Sequence, residues 1–524
     1  MAAGEHKGWF KDQLRLVTIG WFNISFGQIT IFVSLGSFTY GYCSSIIATT
    51  LGQPDFFNYL NLATEGPGLS HTNAITGAMN GLFQAGGLFG SLSIGPLCDY
   101  FSRRGGIGIA AATCLVGGAL QCGSVDVGMF LFARFLTGIG TGMIVCGVPL
   151  YQSEVAPPHT RGLVVGVHGA LLCTGYSVAG WVGYGCFSYT GQFQWRFPLA
   201  VQCFAPLMVL CGLFFIPESP RWLVLHDKHD RAYKVMEWLH RDPLDPEGIL
   251  VKEEWYALLK QLELEKLRGA GGYKELFTGW PNRKRLLLGF FTVFGGQCTA
   301  TIVINNYGVI LYTALGYVAP TTLAFTAGWV TVGVGGNALS ALIVDRVGRV
   351  RLLIIGFSGC LMALIVEMAL LATYKGTTNK AGLAAAVSFL FIHVAFYSSC
   401  VDAVTYIYCT EIFPNHLRAR GTSISVSGLF FATVIYTCAA PTAFANIGWR
   451  YYIVFAVTTA MTIVAVVLWW PETKGLSLEE INALFGDEVA VDVAHMTKEQ
   501  REALDEKIFA QQIEGASVAP PEKA

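Results

Sequence analysis

Asp99-Tyr-Phe-Ser-Arg103 and Asp345-Arg-Val-Gly-Arg349 are two copies of one arrangement, an acid four residues ahead of an arginine at the end of a long apolar stretch. A second arrangement also returns. Glu154 stands seven residues before Arg161, and Glu411 stands seven before Arg418, each pair again just beyond an apolar stretch. Two independent spacings that recur in the same order argue for a duplicated chain. Internal repeats of this kind are the architecture of secondary transporters, with the substrate site between the halves near the bilayer midplane.

Working outward from these loops, a spanning helix needs roughly 20 apolar residues. About twelve such runs occur, six between 29 and 216 and six between 286 and 470. They predict an all-α membrane protein of twelve transmembrane helices in two six-helix halves, laid out as an N-terminus at 1–26, a first half at 27–217, a helical insertion at 218–285, a second half at 286–472 and a tail at 473–524. The insertion is rich in Lys, Glu, Asp and Arg, with Trp238, Leu239, Trp255 and Leu259 at helical spacing. The tail is polar, and disorder is expected beyond about Gly515.

Composition agrees with a lipid solvent: 53% of residues are hydrophobic and 13% charged, with a mean hydropathy of +0.50. Charge is about half the usual quarter. With 34 basic against 35 acidic residues there is no cationic surplus to neutralise phosphates, which excludes a nucleic-acid binder. Sixty glycines favour helices packed closely in lipid. The 14 cysteines fall mostly inside apolar runs and read as free thiols. No phosphate loop, metal-ligand cluster or nucleophile arrangement is present, so no enzyme, cofactor or metal is expected. Residues 1–11 are polar and the first apolar run is too long for a signal-peptide core, so the first helix is expected to stay.

Orientation follows from Lys and Arg. Arg103, Arg104, Arg161, Arg346, Arg349, Arg351, Arg418 and Arg420 fall after even-numbered helices, whereas the connection from Leu51 to Asn73 has no Lys or Arg. The positive-inside rule then puts both termini and the insertion in the cytoplasm. A plasma-membrane location and a monomer are expected.

The chain resembles a sugar porter of the major facilitator superfamily from Gly41 to Leu484. The motifs are Pro217-Glu-Ser-Pro-Arg-Trp-Leu223, Pro471-Glu-Thr-Lys-Gly475 with Leu478-Glu-Glu-Ile481, Arg134-x3-Gly138-x-Gly140, and Pro149-x-Tyr151-x2-Glu154 leading to Arg161-Gly162. Trp195-Arg-Phe-Pro198, Gly180-Trp-Val-Gly-Tyr-Gly185 and Asn446-Ile-Gly-Trp449 further resemble the fungal branch. The resemblance implies a carrier that moves a sugar by alternating access, with Asp99, Arg103, Glu154, Arg161, Asp345, Arg349, Glu411 and Arg418 as a salt-bridge latch between the halves. Tyr100 and Ser102 stand where the family has Arg and Gly.

The amide set that the family uses to fork onto sugar hydroxyls is depleted here. Gly169 and Tyr176 replace two glutamines of the fifth helix, with His168 beside the first. In the seventh helix Gln297 is kept, Gly296 and Ile302 replace two further amides, and Asn305, Asn306 and Tyr307 follow. In the tenth, Thr405 and Tyr406 replace Pro and Trp, with Tyr408 kept, and in the eleventh Leu429, Phe430 and Thr433 replace Asn, Trp and Asn. The candidate binding set is therefore Gln297, Asn305, Asn306, Tyr307, Tyr406 and His168, with helix packing as the competing reading of each. Proton-coupled members carry a Gly-Tyr-Asp step facing an arginine of the fourth helix. Here the step is Gly41-Tyr42-Cys43 and the arginine is Arg134, which predicts facilitated diffusion, with Arg134 bonded to carbonyls, water or substrate. Asp402 and Glu367 lie in apolar runs, with His393 ahead of Asp402, and are costly there without a role. They are the alternative coupling acids for a proton symporter. A sugar sensor that does not transport is the other alternative.

Overall fold

Helix starts are marked by side chains that accept otherwise unsatisfied backbone N–H groups. Ser102 accepts from Gly105 at 3.1 Å, Asp126 from Met129 at 2.8 Å, and Asn379 from Ala381 and Gly382 at 3.1 and 3.2 Å. These caps open the third, fourth and tenth spanning helices. The computed structural model describes residues 24–156, 161–240, 251–252, 254–256, 258–260, 262, 272–374, 376–377, 379–476 and 478–486. The expected N-terminal segment up to 23, the middle of the insertion and the tail beyond 486 lie outside the described residues.

Ten helical stretches among the described residues are long and apolar enough to cross a membrane. The remaining two are the second, Leu69–Phe101, and the fifth, Arg161–Cys186, of 33 and 26 residues. At 1.5 Å per residue both are long enough to span. They are less apolar because they face the interior: Asn80, Gln84 and Ser91 of the second helix are buried. The first half is completed by the first helix (Ile24–Val33 and Leu35–Thr50), the third (Arg103–Cys122), the fourth (Val127–Val155) and the sixth (Phe193–Val201 and Phe204–Gly212). The second half holds the seventh (Trp280–Gln297 and Thr301–Ala314), eighth (Thr321–Val347), ninth (Arg349–Tyr374), tenth (Lys380–Tyr397 continuing to Glu411), eleventh (Asn415–Asn446) and twelfth (Tyr451–Trp469). No strand occurs among the described residues.

Small residues set how closely the helices approach. Gly86 and Gly90 on the second helix meet Gly138 and Gly142 on the fourth so tightly that a Cβ at any of the four would overlap a backbone atom of the other helix. This four-residue spacing of glycines on both partners lets two backbones touch in lipid, where apolar side chains alone give no preference for protein over acyl chain. The halves meet through the second helix against the eleventh and the fifth against the eighth. Ser423 donates to the Ser91 carbonyl, Thr433 to Gln84 Oε1 at 3.1 Å, and Trp181 Nε1 to Thr331 at 3.0 Å. Helices two and eight, and five and eleven, are equivalents in the duplication, so the two contacts are one contact made twice.

Two spanning helices depart from the continuous reading of the sequence. The seventh is interrupted at Cys298–Ala300, where Ala300 has a φ of 68°. The tenth contains a π-helical segment, Ser398–Asp402. The freed carbonyls find new donors: Cys298 accepts from Thr459 at 3.0 Å and Thr299 pairs with His393 Nε2 at 2.8 Å. In the insertion, Leu223, Val224, Ala232 and Leu262 form a small core with Trp255 and Leu259 against it. Leu239 is buried but Trp238 is 46% exposed, so it stands on the outer face of His229–His240.

Candidate substrate cavity and gate

A cavity lies between the halves at the level of both helix irregularities. Its wall includes Tyr40, Tyr176, Gln297, Asn305, Trp329, Asn337, Tyr397, Asp402 and Tyr406, and its volume is ≈ 70 Å³. Ligand pockets usually measure about 300–1,000 Å³, so this one is too small for a ring substrate as it stands. The two halves touch on either side of it. On the face carrying the arginine-rich loops Asp99 meets Arg420, and on the opposite face Gly52 packs against Leu323 and Val309.

Asp402 is the charged residue of this wall. Its Oδ2 accepts from Asn337 Nδ2 at 2.9 Å and lies 4.0 Å from Cys173 Sγ, so two groups from the eighth and fifth helices converge on it across the boundary between halves. Gln297 donates to the Tyr397 hydroxyl at 3.2 Å. Asn305 Oδ1 is buried without a hydrogen-bond partner while its Nδ2 donates to Asn306 at 3.3 Å. Of the six candidate binding residues, Gln297, Asn305 and Tyr406 line the cavity. The other three lie behind the wall. His168 Nδ1 pairs with Ser37 at 2.6 Å, Tyr307 donates to the Thr437 carbonyl at 2.7 Å, and Asn306 is buried beside Asn305. Glu367 is buried within the second half, also away from this wall. Sequence reasoning passed over Tyr40, Trp329, Asn337 and Tyr397. Asn337 carried a usable signal, since an amide within a spanning helix is costly unless it faces the bundle interior.

Arg134 is fully buried. Its Nη1 donates to the Cys43 carbonyl at 3.1 Å and its Nε to the Met79 carbonyl at 3.2 Å, with the guanidinium 4.2 Å from the centre of the Phe83 ring. The fourth helix is thus tied to the first and second through backbone oxygens.

The charged face repeats itself in structure as it does in sequence. Arg103 bonds Glu154 through Nε and Nη2 and Asp99 through Nη1 at 2.7 Å, and Arg349 bonds Glu411 and Asp345 at 2.7 and 2.9 Å. Glu154 also accepts from Ser219 at 2.5 Å, as Glu411 does from Thr473 at 2.7 Å. Glu218 accepts the Arg104 N–H at 3.4 Å, as Glu472 accepts the N–H of the equivalent Val350 at 3.1 Å. Tyr151 and Tyr408 donate to the carbonyls of Pro217 and Pro471 at 2.8 and 3.3 Å. Each half therefore closes its own cage with the motif that follows its sixth helix. These cages hold Glu154 and Glu411 within their own halves. A cross-half ion pair is made by Arg420 with Asp99, at 3.2 Å. Arg418 is half-buried two positions earlier, and the Arg161 side chain lies outside the described residues.

Comparison with known proteins places this geometry. Residues 29–485 match the family model described as sugar (and other) transporter. The chain is 30% identical to the MFS-type transporter criB of Aspergillus cristatus, over 92% of this chain and 97% of that protein. It is 28% identical to the quinate permease of Emericella nidulans, over 91% and 92%. The solved structure of the proton:xylose symporter XylE bound to 6-bromo-6-deoxy-D-glucose superposes with a TM-score of 0.73 at 22% identity, covering 88% of this chain and 100% of that one. A multi-pass membrane fold of two six-helix halves, a cavity between them and a family match over most of the chain lead to one assignment: the chain belongs to the sugar (and other) transporter family of the major facilitator superfamily.

Proposed function

We propose that this carrier moves an uncharged sugar or sugar-like polyol across the plasma membrane by alternating access, with both termini in the cytoplasm. The observation that carries the reading is the cavity: it sits between the halves and combines amides, hydroxyls and aromatic rings around too little space for a ring substrate. Loading it requires the halves to part on one side at a time. Ring hydroxyls would take the hydrogen bonds of Gln297, Asn305 and Asn337, and the apolar ring face would lie on Trp329 or a tyrosine. Quinate, the substrate named for several relatives, is a carboxylate. The wall here carries Asp402 and no Lys or Arg, so it favours a neutral polyol over an anion.

The mode of transport is facilitated diffusion. Cys43 offers a carbonyl where a coupling acid would offer a carboxylate, and Arg134 is held by carbonyls. One observation favours a second reading, proton symport, since Asp402 lines the cavity itself. Counterflow of radiolabelled sugars and polyols in proteoliposomes tests the first claim, and absence of flux across the panel would leave the sensor reading. An imposed pH gradient tests the second: accumulation abolished by a protonophore and lost in Asp402→Asn would overturn facilitated diffusion.

A further inference from the structure

On the charged face, away from the cavity, a groove of ≈ 440 Å³ opens between the third helix, the end of the sixth and the start of the insertion. It has two chemically distinct parts. One wall is apolar, formed by Gly108, Leu210, Leu213 and Phe214. The rim is basic, formed by Arg104, Lys228 and Arg231. Phe214 and Phe215 are 78% and 85% exposed, so the apolar wall runs directly onto the lipid-facing surface of the sixth helix.

The groove lining carries one acid against three cations. Glu218 is engaged by the backbone N–H groups of Arg104 and Ser219, at 3.4 and 3.0 Å. Lys228 and Arg231 are exposed, with the Lys228 ammonium 5.4 Å from the Trp222 ring, and Arg104 spends one nitrogen on the Ile216 carbonyl at 3.2 Å. Three cations at the membrane boundary beside an apolar slot match a negatively charged headgroup with its acyl chain attached. We propose that this groove binds an anionic phospholipid from the leaflet that borders the charged face, with the headgroup phosphate between Arg104, Lys228 and Arg231 and an acyl chain along Leu210, Leu213 and Phe214.

The site touches the gate. Trp222 lines the groove and its Nε1 donates to the Asp99 carbonyl at 3.1 Å, and Asp99 makes the cross-half pair with Arg420. A bound lipid fastens the insertion to the third and sixth helices next to that pair, which favours the state closed on this face. The proposal does not depend on what is transported.

Native mass spectrometry of the full chain, titrated with phosphatidylserine and separately with phosphatidylcholine, reads the site. The wild type should retain phosphatidylserine preferentially. The double variant Lys228→Gln, Arg231→Gln should bind phosphatidylserine about 30-fold more weakly, the effect of losing two cations near a charged surface, and phosphatidylcholine should weaken less because its choline offsets the phosphate charge. Gly108→Leu keeps the basic rim but pushes a side chain at Leu213 and should also weaken phosphatidylserine binding. Undiminished phosphatidylserine binding in the double variant overturns the proposal. So does soluble glycerophosphoserine that binds as tightly as the lipid, since the groove would then hold a phosphate without needing the chain.

Discussion

Gln297 is the amide that both the family pattern and the cavity wall single out, and its position shows how its role can be separated from packing. Its Nε2 is bonded to Tyr397 at 3.2 Å, so a substrate hydroxyl would exchange for, or add to, that bond. Gln297→Ala should weaken sugar binding by roughly 1–3 kcal/mol, the cost of leaving a buried partner unsatisfied, read by equilibrium binding to the purified protein. Wild-type affinity would place the substrate elsewhere. Tyr307 gives the contrast. Its hydroxyl is already committed to the Thr437 carbonyl, so Tyr307→Phe should lower thermal stability by about 1 kcal/mol and leave affinity unchanged. The family pattern marked Gln297, but polarity alone put both residues in the candidate binding set. Both belong to the seventh helix, and Tyr307 falls beyond the break at Cys298–Ala300, where its hydroxyl is buried against the eleventh helix.

Elements were legible where the signal is local. Apolar length gives spanning helices, and caps such as Asp126 and Asn379 sit at their starts. The interruptions in the seventh and tenth helices were not legible, because neither contains a proline and the one in the seventh is held by distant donors, Thr459 and His393. Irregular backbone of this kind survives at membrane depth only where protein or a cavity satisfies it, and π-segments in helices are frequent at functional sites. Helix packing is a second matter that the glycine content announced without locating. Gly138 lies against the Phe83 carbonyl, whereas Gly185 has open space around its Cβ position. Gly138→Val should therefore force the second and fourth helices apart and cost 1–3 kcal/mol or more, seen as a lower unfolding temperature or loss of the monodisperse peak, while Gly185→Ala should be near neutral. A Gly138→Val protein as stable as the wild type would refute this account of the helix pair.

For the whole molecule, the duplicated charge spacing was the most legible feature, because each half writes its cage into two short loops and one motif after its sixth helix. Which charges join the halves was not legible, since that depends on how far helices two and eleven slide past each other. Orientation across the membrane rests on the arginine asymmetry, and it is open to a direct check. A cysteine at Gly66, on a cysteine-reduced background, should react with an impermeant thiol reagent on intact cells and one at Asp230 should not; the opposite labelling pattern would invert the topology. The gate follows from comparing magnitudes. In the pair of Arg103 with Glu154 both side chains are at least nine-tenths covered, at 7% and 8% exposure, and removing one partner of such a pair strands a buried charge at a cost of about 3–5 kcal/mol. The pair of Arg420 with Asp99 is 30% and 46% exposed, so it contributes only about 0–1 kcal/mol. A carrier must separate its halves in every cycle while each half stays rigid. Strong pairs inside the halves and a weak one between them meet that requirement, and they predict different mutant behaviour. Arg420→Ala should shift the population toward the state open on the charged face by up to about 5-fold with little loss of stability, read as a longer distance between spin labels at Tyr100 and Phe277. Arg103→Ala should instead lower the unfolding temperature. An Arg420→Ala protein with an unchanged distance distribution would mean that helix packing, such as Ser423 on Ser91, holds the gate without the ion pair.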